Sequence, residues 1–268
     1  MQEFRFEKRG LSYRTNGFDV GRRTIVFIHG LTGSCSAWYD YEARFEQAYN
    51  IISVDIRGHG KSAKYKPLEE YTIPRFADDI SLLLEDIRIE TFILVAHSFG
   101  TLIALELALR HARGVEALFL LAPAYDVRNI RSKATIPILK VAAALLRLYP
   151  FLAPIRGRTD YSKYKQTGDF NFWRGRADIC NTSVRVHVFC LLQIYLYDQA
   201  NKWDRLAAPI TVIHGRKDGI IPVRQAEHMK ASLPAIKLIV LDRADHILIL
   251  NEAPIVAAAI TKFLGALN

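Results

Sequence analysis

Six short runs of Val, Ile, Leu and Phe constrain this chain most: 24–30 (TIVFIHG), 50–55 (NIISVD), 91–96 (TFILVA), 115–121 (VEALFLL), 209–214 (PITVIH) and 236–241 (IKLIVL). Each stops at a polar or turn residue. An apolar run without alternation fits a strand covered on both faces, the condition of a parallel sheet. Helical periodicity fills the intervals, at 36–48, 72–88, 99–111, 222–232 and 252–266. Parallel neighbours need a crossover between them, so the alternation predicts an α/β doubly wound fold. Segments 2–8 and 11–20 read as an antiparallel hairpin at the sheet edge.

The alternation fails once, between Leu121 and Pro209. There IPILKVAAALLRLYPFLAP reads as an apolar helix that breaks near Pro150, and DICNTSVRVHVFCLLQIYLYDQANKW as one or two more helices. The predicted division is a core of residues 1–124 and 206–268 with a helical insertion, 125–205. One α/β domain plus an insertion suits a chain of 268 residues. The formal net charge is +9, and residues 126–205 carry 14 basic and 6 acidic side chains, a net +8. No nucleic-acid motif accompanies that excess, so no nucleic-acid partner is expected; an acidic substrate or a peripheral contact with anionic membrane fits it. Arg128, Arg131, Lys133, Arg156 and Arg158 are the candidates for that contact. The longest apolar stretch, 134–154, is broken by Lys140, Arg147 and Pro150, and a membrane span needs about 20 apolar residues. The N-terminal MQEFRFEKRG lacks the apolar run of a secretory leader, and Cys35, Cys180 and Cys190 do not suggest a disulfide framework. Together these predict a reduced, cytoplasmic protein.

Ligands of an open α/β sheet bind outside the carboxyl ends of its strands. At those ends lie Ser98, Asp218 and His246, in that chain order. Ser98 sits in AHSFG, where a strand turns into a helix without a loop, and the flanking Ala96 and Gly100 are small enough for a sharp turn. Such a serine is either a helix N-cap or a nucleophile placed where the helix dipole favours negative charge. A serine nucleophile needs a base that titrates near neutral pH, and His246 supplies one. Asp218, in HGRKDGIIPV, can orient the imidazole or simply make an Asp-Gly turn. Asp126 is the rival carboxylate. Asp245 abuts His246, but adjacent side chains point apart. Acyl transfer also needs N–H donors for an oxyanion, and the amides of Leu31, in the glycine-rich loop HGLTGS, and of Phe99 are placed to serve. No HExxH is present, GHGKS lacks the spacing of a phosphate loop, and HGLTGS is no dinucleotide fingerprint, so neither metal nor cofactor is expected.

HGLTGS, DIRGHGKS, AHSFG, HGRKDGIIP and the DH pair together resemble the α/β-hydrolase superfamily over essentially the whole chain outside the insertion. The resemblance implies a mostly parallel eight-stranded sheet with helices on both faces and a helical cap after strand six. It implies a triad of Ser98, Asp218 and His246, an oxyanion hole from the Leu31 and Phe99 amides, and a DIRGHGKS segment that shapes the pocket edge. Ala96 and Asp245 stand where the family usually has glycine. The layout of the insertion resembles the caps of monoacylglycerol lipases and carboxylesterases. Gly30 and Ile220, with Leu145, Leu148 and the neighbouring Leu139, Val141, Leu146, Phe151 and Leu152, would then form the substrate pocket and acyl tunnel. The expected activity is hydrolysis of a small acyl ester or monoacylglycerol-type lipid. Carbon–carbon bond hydrolysis, thioester or amide cleavage, perhydrolysis, a lyase or cofactor-free oxygenase, and a non-catalytic binding protein on the same fold stay open. The oligomeric state is not legible.

Overall fold

A computed structural model describes residues 1–127, 134–199 and 201–267. Its strands are β1 (Gln2–Phe6), β2 (Leu11–Thr15), β3 (Thr24–Ile28), β4 (Asn50–Asp55), β5 (Phe92–His97), β6 (Val115–Leu121), β7 (Ile210–Gly215) and β8 (Lys237–Leu241). They form one eight-stranded sheet in the order β1-β2-β4-β3-β5-β6-β7-β8. β1 and β2 pair antiparallel with each other, as does β2 with β4; the remaining pairs are parallel. Every residue of β3, β4, β5 and β7 is buried, as the unbroken apolar runs require. β1 exposes four of its five residues, and Glu3 and Arg5 put charge along that edge, which discourages pairing with another chain.

The helices are α1 (Tyr39–Phe45), α2 (Ile73–Asp86), α3 (Gly100–Arg110), α4 (Thr135–Leu148), α5 (Phe172–Thr182), α6 (Val184–Leu196), α7 (Arg224–Ser232), α8 (Leu248–Asn251) and α9 (Ala253–Gly265). Successive strand residues point to opposite faces, so β3 divides between two cores. Val26 and Ile28 join Phe76 and Ile80 of α2 and Leu102 of α3, whereas Ile25 and Phe27 join Tyr41 of α1 and Ile260 of α9. The sheet is therefore sandwiched between helices, with the carboxyl ends of β3 and β5 to β8 presenting their loops at one rim.

Between β6 and β7 the chain runs through α4, α5 and α6. α5 and α6 meet at a 98° bend, where Ser183 takes a left-handed φ of 90°. Among the described residues no single helix is long and apolar enough to cross a membrane.

The DIRGHGKS segment does not line the cavity described below, contrary to the expectation, because its charges are spent on tying segments together. Asp55 accepts hydrogen bonds from the Cys35 amide (2.7 Å), the Lys61 amide (2.9 Å) and Arg158 Nε (2.8 Å). Gly60, at a φ of +51°, lies so close that a Cβ there would fall 2.4 Å from the Asp55 carboxyl carbon. Arg57 donates to both oxygens of the buried Asp79, from Nε at 2.7 Å and Nη2 at 2.6 Å. Arg158, anticipated as a membrane-facing cation, is instead folded against Asp55 and Glu3 and is largely buried. Arg128, Arg131 and Lys133 lie outside the described residues.

Candidate active site

Ser98 has a φ of 50°, a left-handed conformation that a residue with a Cβ adopts at a cost of order 1–3 kcal/mol. The strain comes from joining the end of β5 directly to α3. A Cβ on Gly100 would lie 2.6 Å from the His29 carbonyl oxygen and 2.7 Å from that of Ile28, so the start of α3 presses on the end of β3 and only glycine fits. Ala96 is fully buried and keeps the approach short. The turn lifts the Ser98 hydroxyl off the sheet and aims it at His246.

His246 Nε2 lies 3.0 Å from Ser98 Oγ, and His246 Nδ1 lies 2.7 Å from Asp218 Oδ2. With the Nδ1 proton donated to the carboxylate, Nε2 is left to accept the serine hydroxyl, the arrangement an activated nucleophile needs. Asp218 is itself held: its Oδ1 accepts the amides of Ile220 (2.9 Å) and Ile221 (2.7 Å). Burial works to raise its pKa, but hydrogen bonds and charge from His214 and His246 outweigh that and hold the carboxyl well below its ordinary range. It remains ionised wherever the imidazole is working. Asp126, the rival, lies instead 3.6 Å from His228. Asp245 turns away from the imidazole and accepts the Ile247 amide at 3.0 Å, so the missing glycine does not displace His246. Beneath the base, His97 Nε2 lies 3.0 Å from the His246 carbonyl oxygen. Burial, with the neighbouring His246 charge, lowers His97 to about 3, so it keeps that place without adding a second cation.

Among the described residues the N–H groups of Leu31 and Phe99 have no acceptor in the chain. The Phe99 ring is buried against Phe76, so the residue's part at the site is its amide, which directly follows the serine. A Cβ on Gly30 would come within 3.2 Å of Ser98 Cβ, so glycine is what brings the Leu31 loop alongside.

A cavity of about 570 Å³ opens over Ser98 and His246, and the anticipated Gly30, Leu31 and Ile220 line it. Leu145 and Leu148 do not; they are 63% and 79% exposed. The correction extends to Leu139, Val141, Leu146, Phe151 and Leu152, none of which reaches the cavity. The reason is helical phase. α4 packs on α6 by the face that carries Ala143, and the stripe Ile138, Val141, Leu145 and Leu148 points outward. The apolar wall over the serine comes from Leu191 and Ile194 of α6.

Asp169, in the insertion, was not singled out by its sequence context, TGDFNF, which reads as a turn. Its Oδ1 accepts the His246 amide and its Oδ2 the Gly219 amide, both at 2.8 Å. One carboxylate thus bridges the loop that carries the base and the loop that carries its acid partner. Arg174 fixes the bridge by donating to the carbonyls of Gly168 (3.1 Å) and Asp169 (2.6 Å). Asp169→Ala is expected to lower kcat by about 10²-fold with a smaller change in KM, because a shift of about 1 Å in a catalytic group costs that much. Steady-state kinetics beside a melting curve read it; unchanged kcat in a folded variant would refute the bridging role. Among the described residues no group of three His, Cys, Asp or Glu side chains could hold a metal ion.

Comparisons with known proteins bear on the fold. A family model described as alpha/beta hydrolase fold matches residues 23–253. An uncharacterized protein of Mycobacterium tuberculosis is 28% identical over 239 residues, covering 83% of this chain and 69% of that one. The Arabidopsis thaliana protein named Probable lysophospholipase BODYGUARD 2 is 27% identical over 265 residues, covering 85% of this chain and 55% of that one. Among solved structures, a thermophilic esterase from Thermogutta terrifontis superposes with a TM-score of 0.74 at 18% identity, over 96% of this chain and 93% of that one. At that identity the likeness concerns the fold.

Proposed function

The chain belongs to the α/β-hydrolase fold family, and on that premise we propose that it is a serine hydrolase of carboxylic esters, acting on acyl esters or monoacylglycerol-type lipids through an acyl-enzyme on Ser98. The observation that carries this reading is the unbroken hydrogen-bonded line from Ser98 Oγ through His246 to Asp218, at 3.0 and 2.7 Å, at the floor of a cavity. His246 Nε2 takes the Ser98 proton as Oγ bonds to the ester carbonyl carbon. The carbonyl electron pair moves onto oxygen, and the Leu31 and Phe99 amides donate to the resulting oxyanion. One such donor is worth about 2.7–4 kcal/mol of barrier. The oxyanion then collapses, the bond to the leaving oxygen breaks, and His246 returns its proton to that oxygen to give the alcohol. Water repeats the sequence, its proton passing to His246 and then to Ser98, and releases the carboxylic acid. Asp218 stabilises the imidazolium in both halves.

The lipid side of the reading draws on the name of the plant relative and on the apolar wall over Ser98. Thioester cleavage, carbon–carbon bond hydrolysis and perhydrolysis would use the same three residues, and a ligand-binding protein would not turn over at all. A panel of p-nitrophenyl esters of rising chain length separates these readings. The expected result is an initial burst of p-nitrophenol followed by steady turnover; no release across the panel would defeat the proposal.

A further inference from the structure

The order of the sheet gives the cavity two limbs. Ser98 follows β5, which is flanked by β3 on one side and by β6 and then β7 on the other. On the β6–β7 side the wall is apolar: Val127, Ile220 and Ile221, closed by Ile194 of α6. On the β3 side it holds Thr32, Gly33 and Ala37, with Tyr161 and Asp178 from the insertion. That limb is stitched to the core by Ser36 Oγ donating to the Thr159 carbonyl (2.8 Å) and Thr182 Oγ1 donating to the Thr32 carbonyl (3.2 Å).

Asp178 is 8% exposed and lines the cavity. Thr159 Oγ1 donates to its Oδ1 at 2.7 Å and Tyr161 OH donates to the same atom at 2.9 Å. A carboxylate has two oxygens to satisfy, yet both bonds fall on one. Its Oδ2 takes no hydrogen bond among the described residues, and it is not one of the sealed, unpartnered atoms of the interior. The free oxygen therefore looks into the cavity. Burial pushes the carboxyl up to about 6, although both hydroxyls and Arg174 act to lower it; Oδ2 contributes no donor of its own to hold the charge. Tyr161 belongs to the same core cluster as Leu248, Ile249 and Leu250. The helix that follows His246 contacts the Cys35–Trp38 turn after β3, and Ala37, Ile249 and Leu250 line the cavity with Tyr161. The polar limb therefore extends to the side of the histidine, where a leaving group collects its proton.

We propose that Asp178 Oδ2 forms a leaving-group subsite that accepts a hydrogen bond from a hydroxyl or ammonium group on the alcohol half of the ester, while the acyl half occupies the apolar limb. The proposal rests on the ester-hydrolase reading above and narrows its substrate. A purely apolar alcohol would seal Oδ2 away from water with no donor, and sites built to pair a substrate hydrogen bond reject analogues that lack it. A merely structural Asp178, stapling Thr159 to Tyr161, uses Oδ1 alone and predicts no preference among alcohols.

The test compares kcat/KM for three butyrates, 2-hydroxyethyl and its isostere propyl, and 2-(dimethylamino)ethyl (two methyl groups larger and protonated at pH 7), with p-nitrophenyl butyrate as the reference. The wild-type protein is expected to favour the hydroxyl or the ammonium ester over propyl butyrate by at least about 10-fold; which of the two it favours identifies the donor. Asp178→Leu is expected to bring the favoured ratio to about 1. Asp178→Asn keeps an acceptor for Thr159 and Tyr161; it abolishes preference for the ammonium ester and weakens that for the hydroxyl ester. Equal kcat/KM for all three in the wild-type protein, with p-nitrophenyl butyrate turned over, overturns the subsite alone and requires no variant to fold. A preference that survives unchanged in a folded Asp178→Leu protein overturns it equally. No turnover of any ester overturns the reading it rests on, and the subsite with it.

Discussion

Ser98→Ala is expected to lower turnover of a p-nitrophenyl ester by about 10⁴- to 10⁶-fold, the range seen when a triad nucleophile is removed. The effect is this large because nothing else at the site can form the acyl-enzyme. The buried Cys35 and Cys190 thiols are pushed well above their ordinary range by burial and are held in the wrong form to attack. On the proposed mechanism, what activity survives would come from the cavity and the amides of Leu31 and Phe99, which would still hold an ester and polarise its carbonyl. The change is expected in kcat with little in KM, since the hydroxyl contributes to the transition state more than to binding. Alanine keeps the Cβ at the strained φ and removes a single atom, so the melting temperature serves as a check that the fold is intact. A loss of less than about 10-fold would mean that another group attacks.

Asp218→Asn is expected to cost about 10⁴-fold in kcat, again at preserved geometry. Asparagine offers an N–H to His246 Nδ1 where the carboxylate offered a lone pair, which favours the tautomer with Nε2 protonated and removes the acceptor for the Ser98 proton. Asp126→Asn, in contrast, is expected to stay within a few-fold of wild type, because that carboxyl pairs with His228 rather than with the base. The pair of variants discriminates between the two carboxylates. The acid side of the rate profile does not follow from titration of the same residue. Its folded pKa is depressed, so its contribution to stability is present above the ordinary aspartate pKa of about 3.9 and is lost as pH falls through the lower folded value. Loss of activity on acidification above that window therefore does not report protonation of Asp218. A profile in which Asp218→Asn equals wild type would remove the orienting role.

How much of this was legible in the primary chain differs by region, for physical reasons. Strands buried on both faces leave long apolar runs, so all six central strands could be read within two residues, and the charged hairpin at the edge was legible as a pairing although its second strand ends at Thr15, five residues short of the segment expected. The converging trio was legible because each member sits where a strand meets a turn, Gly100 marks a place where backbone must approach backbone, and Gly30 one where the loop must approach the side chains of His97 and Ser98. The insertion was legible as helical but not in the direction its apolar residues face. An apolar helix such as α4 states that something greasy is present but not which way it faces, and Leu145 and Leu148 turn outward. DIRGHGKS misled in the opposite sense, since charges suited to a pocket rim close a buried ion-pair cluster around Asp55 and Arg57. Asp169 carried no signal at all: its function is to accept two amides 50 and 77 residues away, which no local pattern encodes.

The most direct test of the central claim is to treat the wild-type protein with a fluorophosphonate and locate the adduct by peptide mass spectrometry. The account predicts one modified residue, Ser98, with modification abolished in Ser98→Ala and slowed by orders of magnitude in His246→Ala. An adduct on any other side chain, or labelling at Ser98 that proceeds at the same rate without the imidazole of His246, would contradict it.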